Sequence, residues 1–187
     1  MGFLTDQEVK ALGFAAVGDN VQLSDKACYY NCSQIRIGNN VRIDDFCVIS
    51  AGVGGINIGC YVHVAIGSSL IGAGNITLCD FSGLSSRVSI YSSNDDYTGQ
   101  YLTNPTVPSV FTNVTSADVY IGRHAIIGSG AIILPGVRLE DGVAIGALSL
   151  VNKSCEPFSI YAGNPAKFIK PRKKDLLILE SKFKIDA

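Results

Sequence analysis

Residues 121–151 read IGRHAIIGSGAIILPGVRLEDGVAIGALSLV, and in that stretch Ile121, Ile127, Ile133, Leu139, Ile145 and Val151 stand at every sixth position. Two residues before several of these stands a small or β-branched one: Ala125, Ala131, Val143 and Ser149. A separation of two places both residues on the same side of an extended chain, so each unit reads as a short strand with two inward side chains, then a tight turn. Gly122, Gly128 and Gly146 directly follow the aliphatic residue and suit that turn. Three units close one triangular coil. Coils stacked at ~4.8 Å satisfy one another's backbone groups and gather the aliphatic residues into interior columns.

Toward the N-terminus the spacing recurs as Ile37, Ile43, Ile49, then Ile58, Val64, Leu70, then Leu78, Leu84, Ile90. Val41, Cys47, Val62, Ser68 and Ser82 fill the positions two before. Each break in the count follows a third unit: nine residues from Ile49 to Ile58, eight from Leu70 to Leu78 and thirty-one from Ile90 to Ile121. All extra residues therefore leave from one corner, where an insertion disturbs no strand and is free to carry a binding site. The expected organisation is an N-terminal capping helix in 1–16, a β-helix in 17–171 with a corner loop at 91–117, and a C-terminal helix in 172–187. Thr5 and Glu8 form a capping box for the first helix, and Leu176, Leu179 and Phe183 recur at helical spacing in the last. That last helix is expected on the final coil or on a neighbouring molecule. The fold class is all-β, a parallel β-helix with a short helix at each end.

Composition narrows the partners. Fifteen Lys and Arg nearly balance sixteen Asp and Glu in 187 residues, so no polyanion-binding surface is indicated and nucleic acid is not expected. No apolar run reaches the ~18 residues of a membrane span. Asp6 and Glu8 sit where a secretory signal is basic and apolar, which points to the cytoplasm. Six cysteines without a CxxC pair and only two histidines make a metal site unexpected. Cys47 takes an inward slot and Cys79 a turn slot, so neither reads as a nucleophile.

The repeat, Ile133-Leu134-Pro135-Gly136-Val137, the corner insertion and Tyr161-Ala162-Gly163-Asn164-Pro165-Ala166-Lys167 together resemble the hexapeptide-repeat acyltransferases, whose fold is the left-handed parallel β-helix. The chain is most similar to the galactoside, maltose and xenobiotic O-acetyltransferases and to enzymes that modify surface polysaccharides. The resemblance implies acetyl-CoA as acyl donor, a homotrimer with a cleft between adjacent subunits, and a corner loop that supplies the base. It also implies that Ser129 and Ala147 lie against the pantetheine arm, that Asn152 and Lys153 contact the cofactor, and that Lys167 and Lys170 meet its phosphates. For the lysines the competing reading is a solvated basic tail, and for Ser129 and Ala147 it is turn packing.

The loop departs from the family at the base. Relatives commonly read I-T-D-H-N-H-D-Y, whereas here Ile90-Tyr91-Ser92-Ser93-Asn94-Asp95-Asp96-Tyr97 keeps Asn94, Asp96 and Tyr97 as acceptor-binding candidates but replaces both histidines. Three readings stay open. Asp95 acts as base; His63, outward beside the inward Val64, acts as base, alone or oriented by Asp95; or the acceptor is an amine, which attacks a thioester once neutral and needs no strong base. The chain is thus expected to acetylate a carbohydrate, a surface-polysaccharide sugar or its precursor. The alternatives are N-acetylation of a nucleotide-linked amino sugar, or a solenoid that binds without catalysis. His124, in a turn, is expected to cap it.

Overall fold

A computed structural model describes residues 2–186; Met1 and Ala187, the outer ends of the expected terminal segments, lie outside the described residues. Three sheets wrap one apolar core. The first face stacks Ala16–Val17, Ile35–Ile37, Ile56–Ile58, Ile76–Leu78, Val119–Ile121 and Arg138–Leu139. The second stacks Gln22–Leu23, Arg42–Ile43, His63–Val64, Gly83–Leu84, Ile126–Ile127, Ala144–Ile145 and Ser159–Gly163, and is closed by the antiparallel strand Ala166–Pro171. The third stacks Cys28–Tyr30, Val48–Ala51, Ser69–Gly72, Ser89–Tyr91, Ile132–Ile133 and Leu150–Val151. One strand from each face makes a coil, numbered here one to six from the N-terminus.

The register follows the six-residue count. Leu78 pairs with Ile58 on one side and Ile121 on the other, and Ile121 with Leu139. Ile121, Ile127, Ile133 and Leu139 are fully buried, and Ile145 and Val151 nearly so. Because the strands of coils one to six are only two to four residues long, no strand pair among them is stable alone; the columns of buried aliphatics hold the coils together. The pattern also continues beyond Val151. Buried Cys155 bridges Leu139, and Ile160 and Tyr161 pair with Ala144 and Ile145, adding part of a seventh coil.

The two helices pack in different places. Helix α1 (Asp6–Ala11) is opened by the Thr5/Glu8 capping box, and Leu4, Val9 and Phe14 pack against the core. Helix α2 (Asp175–Asp186) docks neither on the last coil nor at the stack's end. It crosses the corner between the first and second faces, where Phe183 meets the rings of Tyr61 and Phe81 edge-on at 5.1 and 6.2 Å.

The corner between the third and first faces carries the insertions. Ser93–Asn94 pairs antiparallel with Thr115–Ser116, and Leu102 bridges Thr112. The Ala117 N–H donates to the Ser92 carbonyl at 3.0 Å, so the loop's two ends meet, and Ile76 pairs directly with Val119 across it.

Candidate active site

The corner loop is the least buried part of the β-helix. Tyr97, Tyr101, Leu102, Val110, Phe111 and Val114 are all exposed, Tyr97 at 90 %. Asp95 is exposed and Asn94 half-buried in the short strand that begins the loop. Asp96 is fixed by its own turn. Its carboxylate accepts from the Thr98 hydroxyl at 2.8 Å and from the Gly99 and Tyr101 N–H groups at 3.0 and 3.4 Å. Desolvation opposes ionisation, but these donors together prevail and hold the Asp96 carboxyl below its usual range. Asp96 therefore shapes the loop that presents Asp95 and Tyr97.

His63 stands on the second face of coil three. Its Nε2 lies 2.9 Å from Oδ2 of Asp44, and the Arg42 Nε donates to Oδ1 of the same carboxylate at 2.7 Å. Arg42 and His63 are register partners on adjacent coils, and Asp44 sits at the turn beside them, 6 % exposed. Burial works against the Asp44 charge, yet the interactions with Arg42 and His63 outweigh it and keep the carboxyl low. His63 thus has a carboxylate partner in its own chain, Asp44 rather than Asp95. A carboxylate on Nε2 leaves Nδ1 of a neutral ring as the acceptor, on a side chain that is half-exposed. Asp44 escaped the sequence reading because it lies nineteen positions away, although the lap length in this region brings 42, 44 and 63 onto neighbouring rungs.

The cofactor candidates fall on separate edges. Ser129 and Ala147 are exposed at the corner between the second and third faces of coils five and six. The glycines before them serve stacking: a Cβ on Gly128 would stand 2.8 Å from the backbone carbon of Gly146, and one on Gly146 2.8 Å from the Cβ of Ala162. Asn152 and Lys153 are exposed at the opposite end of the third face, just after Leu150–Val151. Lys167 and Lys170 project from the closing strand of the second face. Within one chain these groups do not converge.

The thiol of Cys47 is buried in its inward slot, and burial pushes it up, away from nucleophile chemistry. His124 adopts φ +57° at its turn, stacks on Phe81 at 5.0 Å and sets its Nε2 2.7 Å from Glu180 of α2. Arg123 grips the other oxygen of Glu180. That histidine secures the helix rather than capping its own turn.

With this geometry in view, the likenesses to known proteins are specific. Residues 118–153 match the family model "Bacterial transferase hexapeptide (six repeats)". The whole chain is 56 % identical over 187 residues to a dTDP-4-amino-4,6-dideoxy-D-glucose acyltransferase of Escherichia coli, spanning 97 % of that protein. It superposes with a TM-score of 0.93 and 42 % identity on AntD, an N-acyltransferase from Bacillus cereus solved with dTDP and 3-hydroxybutyryl-CoA, covering 99 % of this chain and 98 % of that one. A variant of AntD solved with dTDP-4-amino-4,6-dideoxyglucose and coenzyme A gives 0.94 and 42 % at the same coverage. The chain belongs to the hexapeptide-repeat acyltransferases.

Proposed function

We propose that this enzyme moves an acyl group, acetyl or a short relative of it, from a coenzyme A thioester to the 4-amino group of a dTDP-linked 4-amino-4,6-dideoxy sugar. The observation that carries this is end-to-end likeness, at 56 % identity, to an acyltransferase of that sugar nucleotide. It favours N-acylation of a nucleotide-linked amino sugar over the O-acetylation that the motifs alone suggested. The absence of a loop histidine fits the same reading, since a neutral amine is a stronger nucleophile than a hydroxyl and attacks a thioester without a strong base to activate it.

The active assembly is a homotrimer. The loop's exposed apolar side chains need a neighbour to cover them, and a cleft between the second-to-third corner of one copy and the third-to-first corner of the next joins Ser129 and Ala147 to Asn152 and Lys153, which lie at opposite ends of the third face. In that cleft Ser129 and Ala147 line the pantetheine arm, Asn152 and Lys153 come from the adjoining copy, and Lys167 and Lys170 offer cations to the phosphates. Asn94 and Tyr97 contact the acceptor. The sugar nitrogen attacks the thioester carbonyl carbon, the C–N bond forms and the C–S bond breaks. The nitrogen's proton passes to the Asp95 carboxylate, and coenzyme A leaves as its thiol once that proton or one from solvent reaches the sulfur. The product is an activated amido sugar in the cytoplasm, suited to building a surface polysaccharide.

The Asp44–His63 pair supports a second reading, in which His63 accepts the proton, oriented by Asp44. The test is steady-state turnover of dTDP-4-amino-4,6-dideoxyglucose with acetyl-CoA, followed by thiol release and by the mass of the amide. Turnover of this amine, with none of the corresponding 4-hydroxy sugar, is expected; the reverse preference overturns the proposal. Loss of kcat in Asp95→Ala, with His63→Ala little changed, selects Asp95, and the opposite pattern selects the histidine.

A further inference from the structure

Each turn between the second and third faces holds one residue in the left-handed region, and these align along the edge as Phe46, Gly67, Arg87, Gly130 and Leu148 on coils two to six. The loop that carries Asp95 leaves coil four, and Ser129 and Ala147 lie on coils five and six. If the thioester arm runs along coils five and six and chemistry occurs at coil four, the acceptor has only coils one to three to occupy. From coil four to coil two is two steps of ~4.8 Å, roughly 10 Å, comparable to the reach of a hexose and a diphosphate before the nucleoside begins.

That part of the edge presents a cation, a gap and a ring in order. Arg87 makes no ion pair among the described residues, and its stem leans over Gly67, with Cγ 3.4 Å from where a Cβ would stand. Gly67 leaves a notch one coil high. Above it Phe46 is 62 % exposed and makes no ring contact among the described residues. Of the other exposed aromatics on coils one to three, Tyr61 is stacked on Phe81 beneath Phe183, and Tyr30 ends the third face at the opposite corner of its own chain.

We propose that Phe46 is the platform on which the acceptor's thymine ring stacks, with Arg87 meeting the diphosphate across Gly67; this rests on the dTDP-sugar reading above. Stacking on an aromatic face suits a pyrimidine, and a guanidinium suits the paired phosphates. The test is calorimetry of the full-length protein with dTDP, alongside KM for each substrate and the mass of the assembly. Phe46→Asn keeps a residue that accepts the left-handed turn and should weaken dTDP binding roughly tenfold. KM for the dTDP sugar should rise in parallel, with KM for acetyl-CoA and the trimer mass unmoved. Phe46→Trp should restore the affinity, and Arg87→Gln should flatten its dependence on salt. Unchanged dTDP binding in Phe46→Asn, or loss of the trimer in that variant, overturns this assignment alone. Failure of the wild-type protein to bind dTDP overturns the acceptor reading with it.

Discussion

Two corners of the same coil meet the same backbone demand and are used differently. On coils two to six both hold a left-handed residue at each turn, and both place bulky residues there: Tyr61, Phe81 and His124 at the first-to-second corner, Phe46, Arg87 and Leu148 at the second-to-third. At the first, Tyr61 stacks on Phe81 and Phe81 on His124, each at 5.0 Å, and α2 seals the column with Phe183 and Glu180. At the second the described residues supply no cover: Phe46 and Leu148 are 62 and 79 % exposed. A bulky side chain at such a turn is therefore scaffold where its own chain buries it, and a candidate binding edge where it does not. Residue type alone does not separate the two.

Substitutions sharpen the contrast. The largest effect is expected off both corners, at the reacting loop. Asp95→Ala should lower kcat by about a hundredfold or more with little change in KM for acetyl-CoA, the scale of losing a general base. Next is the covered column. Phe81→Ala removes the middle ring and should cost about 2–3 kcal/mol of stability by urea unfolding, somewhat less than a fully buried Phe because this one is half-buried. Glu180→Ala frees Arg123 and His124 together and should cost about 1–2 kcal/mol, with faster amide exchange confined to α2. If exchange instead rises throughout the stack, the helix is integral to the coils and not a separate latch.

Smaller still is an acid effect. The Asp44 carboxyl is held low by Arg42 and His63 against burial, so its folded pKa lies below the unfolded value of about 3.9. Its contribution is therefore complete above that value and lost as pH falls through the lower folded one. The stability gap between wild type and Asp44→Asn should be constant near neutrality and shrink below about pH 4, measured by urea unfolding across that range. The smallest stability effect belongs to the bare corner, where Phe46→Asn should change stability by no more than about 0.5 kcal/mol. A loss as large as that of Phe81→Ala would erase the distinction between the corners.

Much of this architecture was legible in the six-residue spacing, because every sixth aliphatic residue must face inward for adjacent coils to share a core. Ile121 through Val151, the single insertion corner and the Thr5/Glu8 cap all appear where the pattern puts them. What the spacing hid were contacts between columns of outward side chains. His63 finds Asp44, His124 finds Phe81 and Glu180, and α2 settles on a corner, since outward residues are under no periodic constraint. The partial coil beyond Val151 was likewise hidden, because Cys155 and Ile160 break the count while keeping the rung. Family motifs located the loop and the acyl donor; the choice of amine over hydroxyl came from likeness along the whole chain, not from any one residue.

The way the loop's ends close on each other has a broader consequence. With Ser92 and Ala117 hydrogen-bonded and Ile76 joined to Val119 as if nothing intervened, the twenty-odd residues between behave as a detachable cassette on an uninterrupted spool. Chemistry written in such a cassette is free to change, histidine for aspartate or hydroxyl for amine, without rewinding the thread beneath it.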